Sequence, residues 1–171
     1  MASCTIVEVL AARDRRQRER EQVLSLYDGT VVSLQLNIPG DEKDSNAYRS
    51  ALEIAVAEIK STIQGVRIDI LKESVQFLKT GPEALFVFDT YPMYLKELMI
   101  AIEEQHPLGR LFDIDVYDHG GVPLSRTNFA ISERKCLVCE NLAKVCGRQR
   151  AHDTSVIVEK INEMIQKYEQ K

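Results

Sequence analysis

Two aspartates, Asp113 and Asp115, lie inside the otherwise apolar stretch HPLGRLFDIDV. In an extended strand alternate side chains point to opposite faces, so the aspartates share one face and Phe112, Ile114 and Val116 share the other. Two carboxylates this close repel each other unless a cation lies between them. They predict a Mg²⁺ site suited to phosphate chemistry. The alternative, a solvent-facing D-x-D without a ligand, stays open.

Further polar residues are predicted to gather near these aspartates. Asp69 and Glu83 are candidates for a third metal ligand, although Glu83 can instead be simply a turn residue. His106 is either a general base, a phosphate contact or a residue that complements the dipole of the preceding helix. The candidate substrate-binding residues are basic or hydroxyl side chains, although each basic residue alone can equally be a surface charge: Lys43, Ser45, Arg110, Arg126, Arg134 and Arg148. The Pro39-Gly40 turn before a helix N-terminus also favours phosphate.

Three cysteines and a histidine form a second group with ligand chemistry. Cys136, Cys139, Cys146 and His152 have the spacing C-x₂-C-x₆-C-x₅-H. Their number and kind match a structural Zn²⁺ site, although the spacing is not that of a common zinc finger. Buried free thiols that pack as small apolar groups are the alternative. The segment ENLAKVC within this region is predicted to be helical.

The elements that must position these residues follow from hydrophobic periodicity. The core is predicted to contain, in order, the strand VVSLQLN, the helix NAYRSALEIAVAEIKSTI with an Asp44 or Ser45 cap, the strand GVRIDIL, a turn with TGPE, the strand ALFVFD, the helix YPMYLKELMIAIEEQ and the strand GRLFDIDVY. This order predicts an α+β fold with a ferredoxin-like βαββαβ core. Right-handed crossovers give the strand order 4-1-3-2. Both helices would cover one face, and Asp113, Asp115 and Asp69 would lie on the open face.

We expect a single domain with three parts. Residues 1–28 form an N-terminal helix whose charged run RDRRQRERE is an exposed face. Residues 29–118 form the α+β core. Residues 119–171 contain the cysteine-rich helical segment and a C-terminal amphipathic helix with an Asp153 or Thr154 cap.

Composition limits the classes of function. The 171 residues are 44% hydrophobic and 28% charged, with a formal net charge of −4, which is typical of a globular domain that repels nucleic acid. No signal peptide or membrane-spanning segment is expected, and we predict a cytoplasmic protein whose four cysteines are thiols or metal ligands. The sequence contains no P-loop, dinucleotide fingerprint or GxSxG elbow.

Six motifs in order along the chain carry a resemblance to a known family. They are RDRRQ, PGDEKDS, GPE, HPLGRLFDIDV, LSR and RKCLVCENLAKVCGRQRAH. Together they resemble the holo-citrate lyase synthases, which are the apo-citrate lyase phosphoribosyl-dephospho-CoA transferases (CitX). The resemblance implies transfer of phosphoribosyl-dephospho-CoA from 2′-(5″-triphosphoribosyl)-3′-dephospho-CoA to a serine of the acyl carrier (γ) subunit of citrate lyase, with release of pyrophosphate. The partner would then supply the nucleophile.

With that resemblance, the candidate residues acquire expected roles. Asp113 and Asp115 would hold Mg²⁺, and Asp69 or Glu83 would complete the metal site or accept the serine proton. The triphosphate would be bound by Arg110, Lys43, Arg126 and Arg148. The carrier would dock on a basic patch made of Arg13, Arg16, Arg134 and Arg150.

Alternative interpretations remain. The D-x-D is typical of the nucleotidyltransferase superfamily, an alternative fold, but the Gly-Ser signature of that superfamily is absent here. The protein could instead be a non-catalytic, zinc-stabilised protein-binding module, or a nucleotidyltransferase that acts on another carrier. Magnesium-dependent release of pyrophosphate separates the enzymes from the binding module.

Overall fold

The structure is a computed structural model that describes residues 3–129 and 131–170. Within these residues the chain forms five α-helices and four β-strands. In chain order they are α1 (Ile6–Leu26), β1 (Thr30–Leu36), α2 (Asn46–Gly65), β2 (Ile70–Leu78), β3 (Gly81–Phe88), α3 (Pro92–Gln105), β4 (Phe112–Tyr117), α4 (Ala143–Gln149) and α5 (Thr154–Glu169). Short 3₁₀ turns cover Gly109–Leu111 and Arg126–Phe129.

The four strands form one antiparallel sheet in the order β2-β3-β1-β4. The α+β class and the predicted strand order are thereby confirmed. Strands β1 and β2 run opposite to β3 and β4, so the end of β1, the β2-β3 hairpin and the start of β4 lie at the same end of the sheet. Strand β4 is an edge strand, and its outer side has no neighbouring strand within the described residues.

One face of the sheet forms the main hydrophobic core with the amphipathic helices. Phe112, Ile114 and Val116 of β4 are buried there with residues of α2, α3 and α5. Helix α2 begins at the predicted cap, because the Ser45 hydroxyl accepts a hydrogen bond from the Tyr48 N–H. No helix in the described parts of the chain combines the length and apolar character that crossing a membrane requires.

The second face of the sheet is not open as predicted, because α1 packs across part of it. Val23 of α1 contacts the buried Val31 of β1 and Val87 of β3. The guanidinium of Arg20 lies 4.6 Å from the ring centre of Tyr117 on β4. The run RDRRQRERE is therefore only partly exposed, since Arg15, Arg16 and Arg20 are half-buried against the sheet.

The second and third strands begin at positions other than those predicted. Helix α2 continues to Gly65, Arg67 adopts a left-handed turn conformation with φ of 57°, and β2 begins at Ile70. The predicted strand GVRIDIL is thus wrong. Strand β2 lies at the other edge of the sheet and its side chains are half-buried or exposed, so its sequence lacks strong apolar alternation. Strand β3 begins at Gly81, so Glu83 lies in a strand rather than in a turn.

The C-terminal helices also differ in detail from the prediction. Helix α4 begins at Ala143 rather than at Glu140, because Leu142 forms an antiparallel bridge with Lys135. Helix α5 begins at Thr154 with Asp153 at its cap position, as predicted.

A buried ion pair connects α1 to the sheet. The Glu83 side chain is 7% exposed, and its carboxylate accepts hydrogen bonds from Arg15 at 2.5 Å and from Arg16 at 3.2 Å. Because Val23 is among the few buried apolar residues of α1, this pair is a principal contact between the helix and the sheet. Glu83 is therefore occupied by a structural interaction.

We expect Glu83→Gln to destabilise the protein. Loss of the buried charge leaves Arg16 without a counterion and Arg15 with only the more exposed Glu19, which lowers the free energy of unfolding by about 2 to 3 kcal/mol. Urea denaturation measures this change. The matched control is Glu19→Gln, which removes a more exposed partner of the same Arg15 and is expected to cost less than about 1 kcal/mol. Equal effects of the two substitutions would contradict a special contribution of Glu83.

Candidate active site

The predicted alternation of β4 is confirmed. Phe112, Ile114 and Val116 are buried, while Asp113 and Asp115 are partly exposed on the opposite face. Asp113 lies beside Gln35 of β1, and Asp115 lies beside Ser33. Burial, together with the neighbouring Asp113 carboxylate, raises the pKa of Asp115. The two carboxylates thus lie close enough to interact unfavourably, as a cation site requires.

Two charged residues of α3 bind the peptide between these aspartates. The ammonium of Lys96 donates a hydrogen bond to the carbonyl of Ile114 at 2.9 Å. The Glu103 carboxylate accepts a hydrogen bond from the Ile114 N–H at 3.0 Å. These bonds satisfy backbone groups on the outer edge of β4 that have no partner strand.

Glu103 also binds two arginines from the segment that follows β4. Its Oε2 accepts a hydrogen bond from Arg126 at 2.5 Å, and its Oε1 accepts one from Arg134. Arg126 also pairs with Glu104, and Nη1 of Arg134 lies 3.6 Å from Oδ1 of Asp113. A continuous chain of charges therefore leads from α3 to the first aspartate.

A cavity of about 350 Å³ opens beside the aspartates. Its walls carry Asp113 and Asp115 together with Arg126, Arg134 and Lys96. Both acidic and basic groups are available here, so the cavity can accept a phosphate group together with a cation.

A larger cavity of about 610 Å³ lies next to it and shares Arg134 as a wall. Its basic residues also include Arg110, Lys135 and Arg150. The Nε of Arg110 is buried and has no hydrogen-bond partner among the described residues. Burial and the charge of Arg134 lower the pKa of Arg110. Arg134 is paired with Glu103 and Lys135 with Glu140, and Asp153 also lines the cavity, whereas Arg110 and Arg150 form no ion pair among the described residues. The wall therefore keeps a small excess of positive charge, which favours an anion of nucleotide size.

The cysteine cluster forms another wall of the larger cavity. The ligand atoms of Cys136, Cys139, Cys146 and His152 all lie within 4.8 Å of one another. Sγ of Cys139 lies 3.5 Å from Sγ of Cys146 and 3.3 Å from Nε2 of His152. The Cys136 and Cys139 pair lies on a tight hairpin that is closed by the Lys135 and Leu142 bridge. The four predicted ligands therefore come together and could hold a metal ion.

The structure brings together only some of the predicted substrate-binding residues. Arg110, Arg126 and Arg134 line the two cavities. Lys43 instead donates to the Ile38 carbonyl and lies beside the β2-β3 hairpin. Arg148 is exposed on α4 and is not part of either cavity wall. Ser45 is engaged as the cap of α2.

The predicted third carboxylates do not lie beside the aspartates. Asp69 precedes β2, at the opposite edge and the opposite end of the sheet from Asp113, so it is not part of the strand face on which it was expected. Glu83 and Asp113 both pair with Gln35 of β1, but from opposite sides of that strand. Two strand spacings therefore separate them, a distance of about 10 Å.

His106 ends α3 and faces the helix-covered side of the sheet. Its ring packs against Phe112 and Tyr168, and its Nδ1 accepts a hydrogen bond from the Leu108 N–H. Burial lowers the pKa of His106. These contacts favour the structural interpretation of His106 over the chemical one, because Phe112 points away from the aspartates.

The expected docking arginines are distributed over several surfaces. Arg13 is exposed on α1, whereas Arg16 is engaged with Glu83. Arg134 and Arg150 line the larger cavity. The four therefore do not form one continuous patch.

The sequence analysis did not identify Glu103 and Lys96 as functional candidates. Their spacing in the sequence could have identified them. Lys96 and Glu103 are seven positions apart, so in an amphipathic helix they lie on the same face as the buried Ile100. A charge on a core-facing helix position requires a specific partner.

The fold and the cavities define a class: an α+β protein with paired carboxylates beside cavities lined by basic residues, an arrangement typical of enzymes that transfer phosphate-containing groups. The comparisons identify the family within that class. The family model described as apo-citrate lyase phosphoribosyl-dephospho-CoA transferase (CitX) matches residues 4–168. The chain belongs to this family, and the resemblance found in its motifs is confirmed.

Individual relatives agree with this assignment. A probable apo-citrate lyase phosphoribosyl-dephospho-CoA transferase of Vibrio cholerae is 32% identical over 167 residues, which cover 97% of this chain and 94% of the relative. The apo-citrate lyase phosphoribosyl-dephospho-CoA transferase of Escherichia coli is 30% identical over 161 residues, or 94% of this chain and 88% of the relative. Protein CitXG of Haemophilus influenzae is 35% identical over 161 residues, which cover 94% of this chain but only 35% of that longer protein.

We expect His106 to make stability depend on pH. Because its pKa is lower in the folded protein than in the unfolded chain, the unfolded state binds more protons, and stability falls as pH decreases below the unfolded value of about 6.5. The effect is measured as the midpoint of urea denaturation at several pH values between pH 7.5 and pH 5. His106→Gln should flatten this part of the profile. The prediction is contradicted if the urea midpoint of the His106 variant changes with pH as steeply as that of the wild-type protein.

Proposed function

We propose that this protein transfers phosphoribosyl-dephospho-CoA from its triphosphoribosyl donor to a serine of the apo-citrate lyase acyl carrier (γ) subunit. The serine oxygen attacks the α-phosphorus of the donor, and the bond from that phosphorus to pyrophosphate breaks. Family membership supports the reaction, since the Vibrio and Escherichia relatives carry the name of this transferase. The observation that carries the proposal for this chain is the pair of cavities that meet at Arg134, one beside two carboxylates and one basic.

The larger cavity is the proposed site for the anionic donor. Arg110 has a buried, unpartnered Nε there, and Arg134 lies where the two cavities meet. A phosphate oxygen would supply the missing hydrogen-bond acceptor for Arg110. Arg134, between this cavity and Asp113, would bind the phosphate nearest to the reacting centre and stabilise its charge in the transition state.

The carboxylates of Asp113 and Asp115 fit a hard divalent cation. Both are on one face, one residue apart, and the burial of Asp115 makes an uncompensated second charge unfavourable. Mg²⁺ bound there would neutralise triphosphate oxygens. The chain's own residues would hold the donor and align its α-phosphorus with the incoming serine.

We propose Zn²⁺ as the ion of the cysteine cluster. Three thiols and one imidazole are the ligand set of a closed structural zinc site, and tetrahedral zinc places its ligand atoms about 3 to 4 Å apart. The ion would connect the hairpin at Cys136 and Cys139 with α4 at Cys146 and with His152 before α5. It would thereby stabilise one wall of the proposed donor cavity.

Two further assignments belong to this proposal. We assign the sheet and the helices that cover it to the ferredoxin-like class, on the basis of the βαββαβ order and the β2-β3-β1-β4 arrangement. We also propose a cytoplasmic location, since the four cysteines are free thiols.

We expect Asp113→Asn to abolish transfer without unfolding the protein. Its side chain is 49% exposed, so its charge contributes little to the core, whereas loss of a transition-state ligand lowers kcat by at least ~100-fold. The measurement is the intact mass of the apo-carrier after incubation with enzyme, donor and Mg²⁺.

Asp89→Asn is the matched control, because Asp89 is exposed beyond β3 at the opposite end of the sheet. It should transfer at the wild-type rate. Near-normal turnover of Asp113→Asn would remove Asp113 from the proposed metal site. No mass gain with the wild-type protein and an active donor would contradict the transferase proposal and favour a zinc-stabilised binding module.

We expect the purified protein to contain zinc, and Cys139→Ser to lose most of it. Because the ion would hold three separate parts of the chain, its loss should lower the melting temperature. Elemental analysis and thermal denaturation measure both effects. Cys4→Ser is the control, since Cys4 is also a free cysteine but binds the Lys79 carbonyl far from the cluster in sequence, and its zinc content should be unchanged. Equal zinc contents in both variants would contradict the site.

A further inference from the structure

Two buried charges of opposite sign lie on the same face of α3. Lys96 is 4% exposed and Glu103 is 2% exposed, and the rest of the buried positions of this helix are apolar. Burial of a charge is unfavourable unless hydrogen bonds and a counter-charge compensate it. The contacts that these two residues make should therefore explain their presence in the core.

Both side chains bind the same residue of β4. Lys96 binds the carbonyl and Glu103 binds the N–H of Ile114. Ile114 is the residue between Asp113 and Asp115, so its backbone determines how far apart and in which direction the two carboxylates project. A neutral apolar helix face would bury Ile114 equally well, but it would leave these two backbone groups unpaired at the sheet edge.

Glu103 makes a second set of contacts that Lys96 does not make. Its two oxygens bind Arg126 and Arg134, which belong to the long segment after β4. Arg134 lines both cavities and lies 3.6 Å from Asp113, and the Nε of Arg126 is buried without a partner among the described residues. One carboxylate thus orients the strand that carries the aspartates and the arginine that faces them.

We propose that Glu103 is a positioning residue for the transfer reaction, an inference that rests on the proposed function. Glu103 lies at the wall of the smaller cavity, but its side chain is only 1% exposed and both carboxylate oxygens are engaged, so it acts on the substrate through the two arginines and the Ile114 peptide. Its negative charge holds both arginines in one arrangement before the donor binds, which removes the need to order them during the reaction. It also offsets their charge, so that the donor is not bound too tightly in its ground state.

The test is Glu103→Gln, which retains the size and one hydrogen-bond acceptor but removes the charge. We expect kcat for carrier modification to fall at least tenfold in protein that is fully folded by circular dichroism. The Kd for inorganic pyrophosphate, measured by calorimetry, should stay the same or decrease, because the two arginines lose their counter-charge. This separation of kcat from anion affinity is not expected for a substitution that merely loosens the fold.

Glu104→Gln is the matched control. Glu104 is the neighbouring residue and pairs with Arg126, but its side chain is 51% exposed. This variant should retain kcat within twofold of wild type. The inference is overturned if Glu103→Gln keeps a wild-type kcat, or if its kcat and its pyrophosphate affinity are lost in parallel. Activity of the wild-type protein reports on the proposed function, and only the ratio of variant to wild type reports on Glu103.

If Glu103→Gln does not fold, Glu103→Asp provides the second test. Aspartate keeps the charge but is one methylene shorter, so it cannot bind the Ile114 N–H and both arginines together. We expect a folded protein with kcat at least threefold below wild type and an unchanged Kd for pyrophosphate. A wild-type kcat in this variant overturns the inference.

Discussion

The alternation of side chains along β4 is the constraint on which the rest of the site depends. Phe112, Ile114 and Val116 are buried in the core, so Asp113 and Asp115 must face the other way. A shift of one residue in the pairing with β1 would place both carboxylates in the core. The energy of burying the apolar residues therefore also determines on which face the acidic residues lie, and the bonds of Lys96 and Glu103 to the Ile114 backbone hold the edge of the strand that carries them.

Two buried glutamates organise the arginines of the protein in similar ways. Glu83 binds Arg15 and Arg16 and holds α1 against the sheet, while Glu103 binds Arg126 and Arg134 beside β4. Such buried pairs contribute little net stability, because desolvation offsets most of the attraction. They do, however, select one position of the arginine-bearing segments relative to the sheet. Any other position would leave a buried charge without its partner.

The charge distribution supports the proposal that this acidic protein binds an anionic donor. The formal net charge is −4, but the larger cavity is lined by four basic residues, of which Arg110 has an unpartnered buried nitrogen among the described residues. A local excess of positive charge in a concave surface concentrates anions more effectively than a uniform charge would. The cluster of Cys136, Cys139, Cys146 and His152 forms another wall of that cavity. The C-terminal segment contains little regular structure before α4, so a bound ion would replace the core that this segment lacks.

The sequence by itself determined the strand order, which follows from the order of elements and right-handed crossovers, and the two faces of β4, which follow from local periodicity. It narrowed the caps of α2 and α5 to two residues each, and ligand chemistry indicated the grouping of the four potential metal ligands. It also determined the family, through motifs distributed along the whole chain. Only the tertiary structure decided that α1 covers the second face, that β2 begins at Ile70 and that Asp69 lies far from Asp113. It alone placed Glu103 and Lys96 on the Ile114 peptide. These features depend on contacts between residues far apart in the chain, and a periodicity records which face of an element is buried but not which partner buries it.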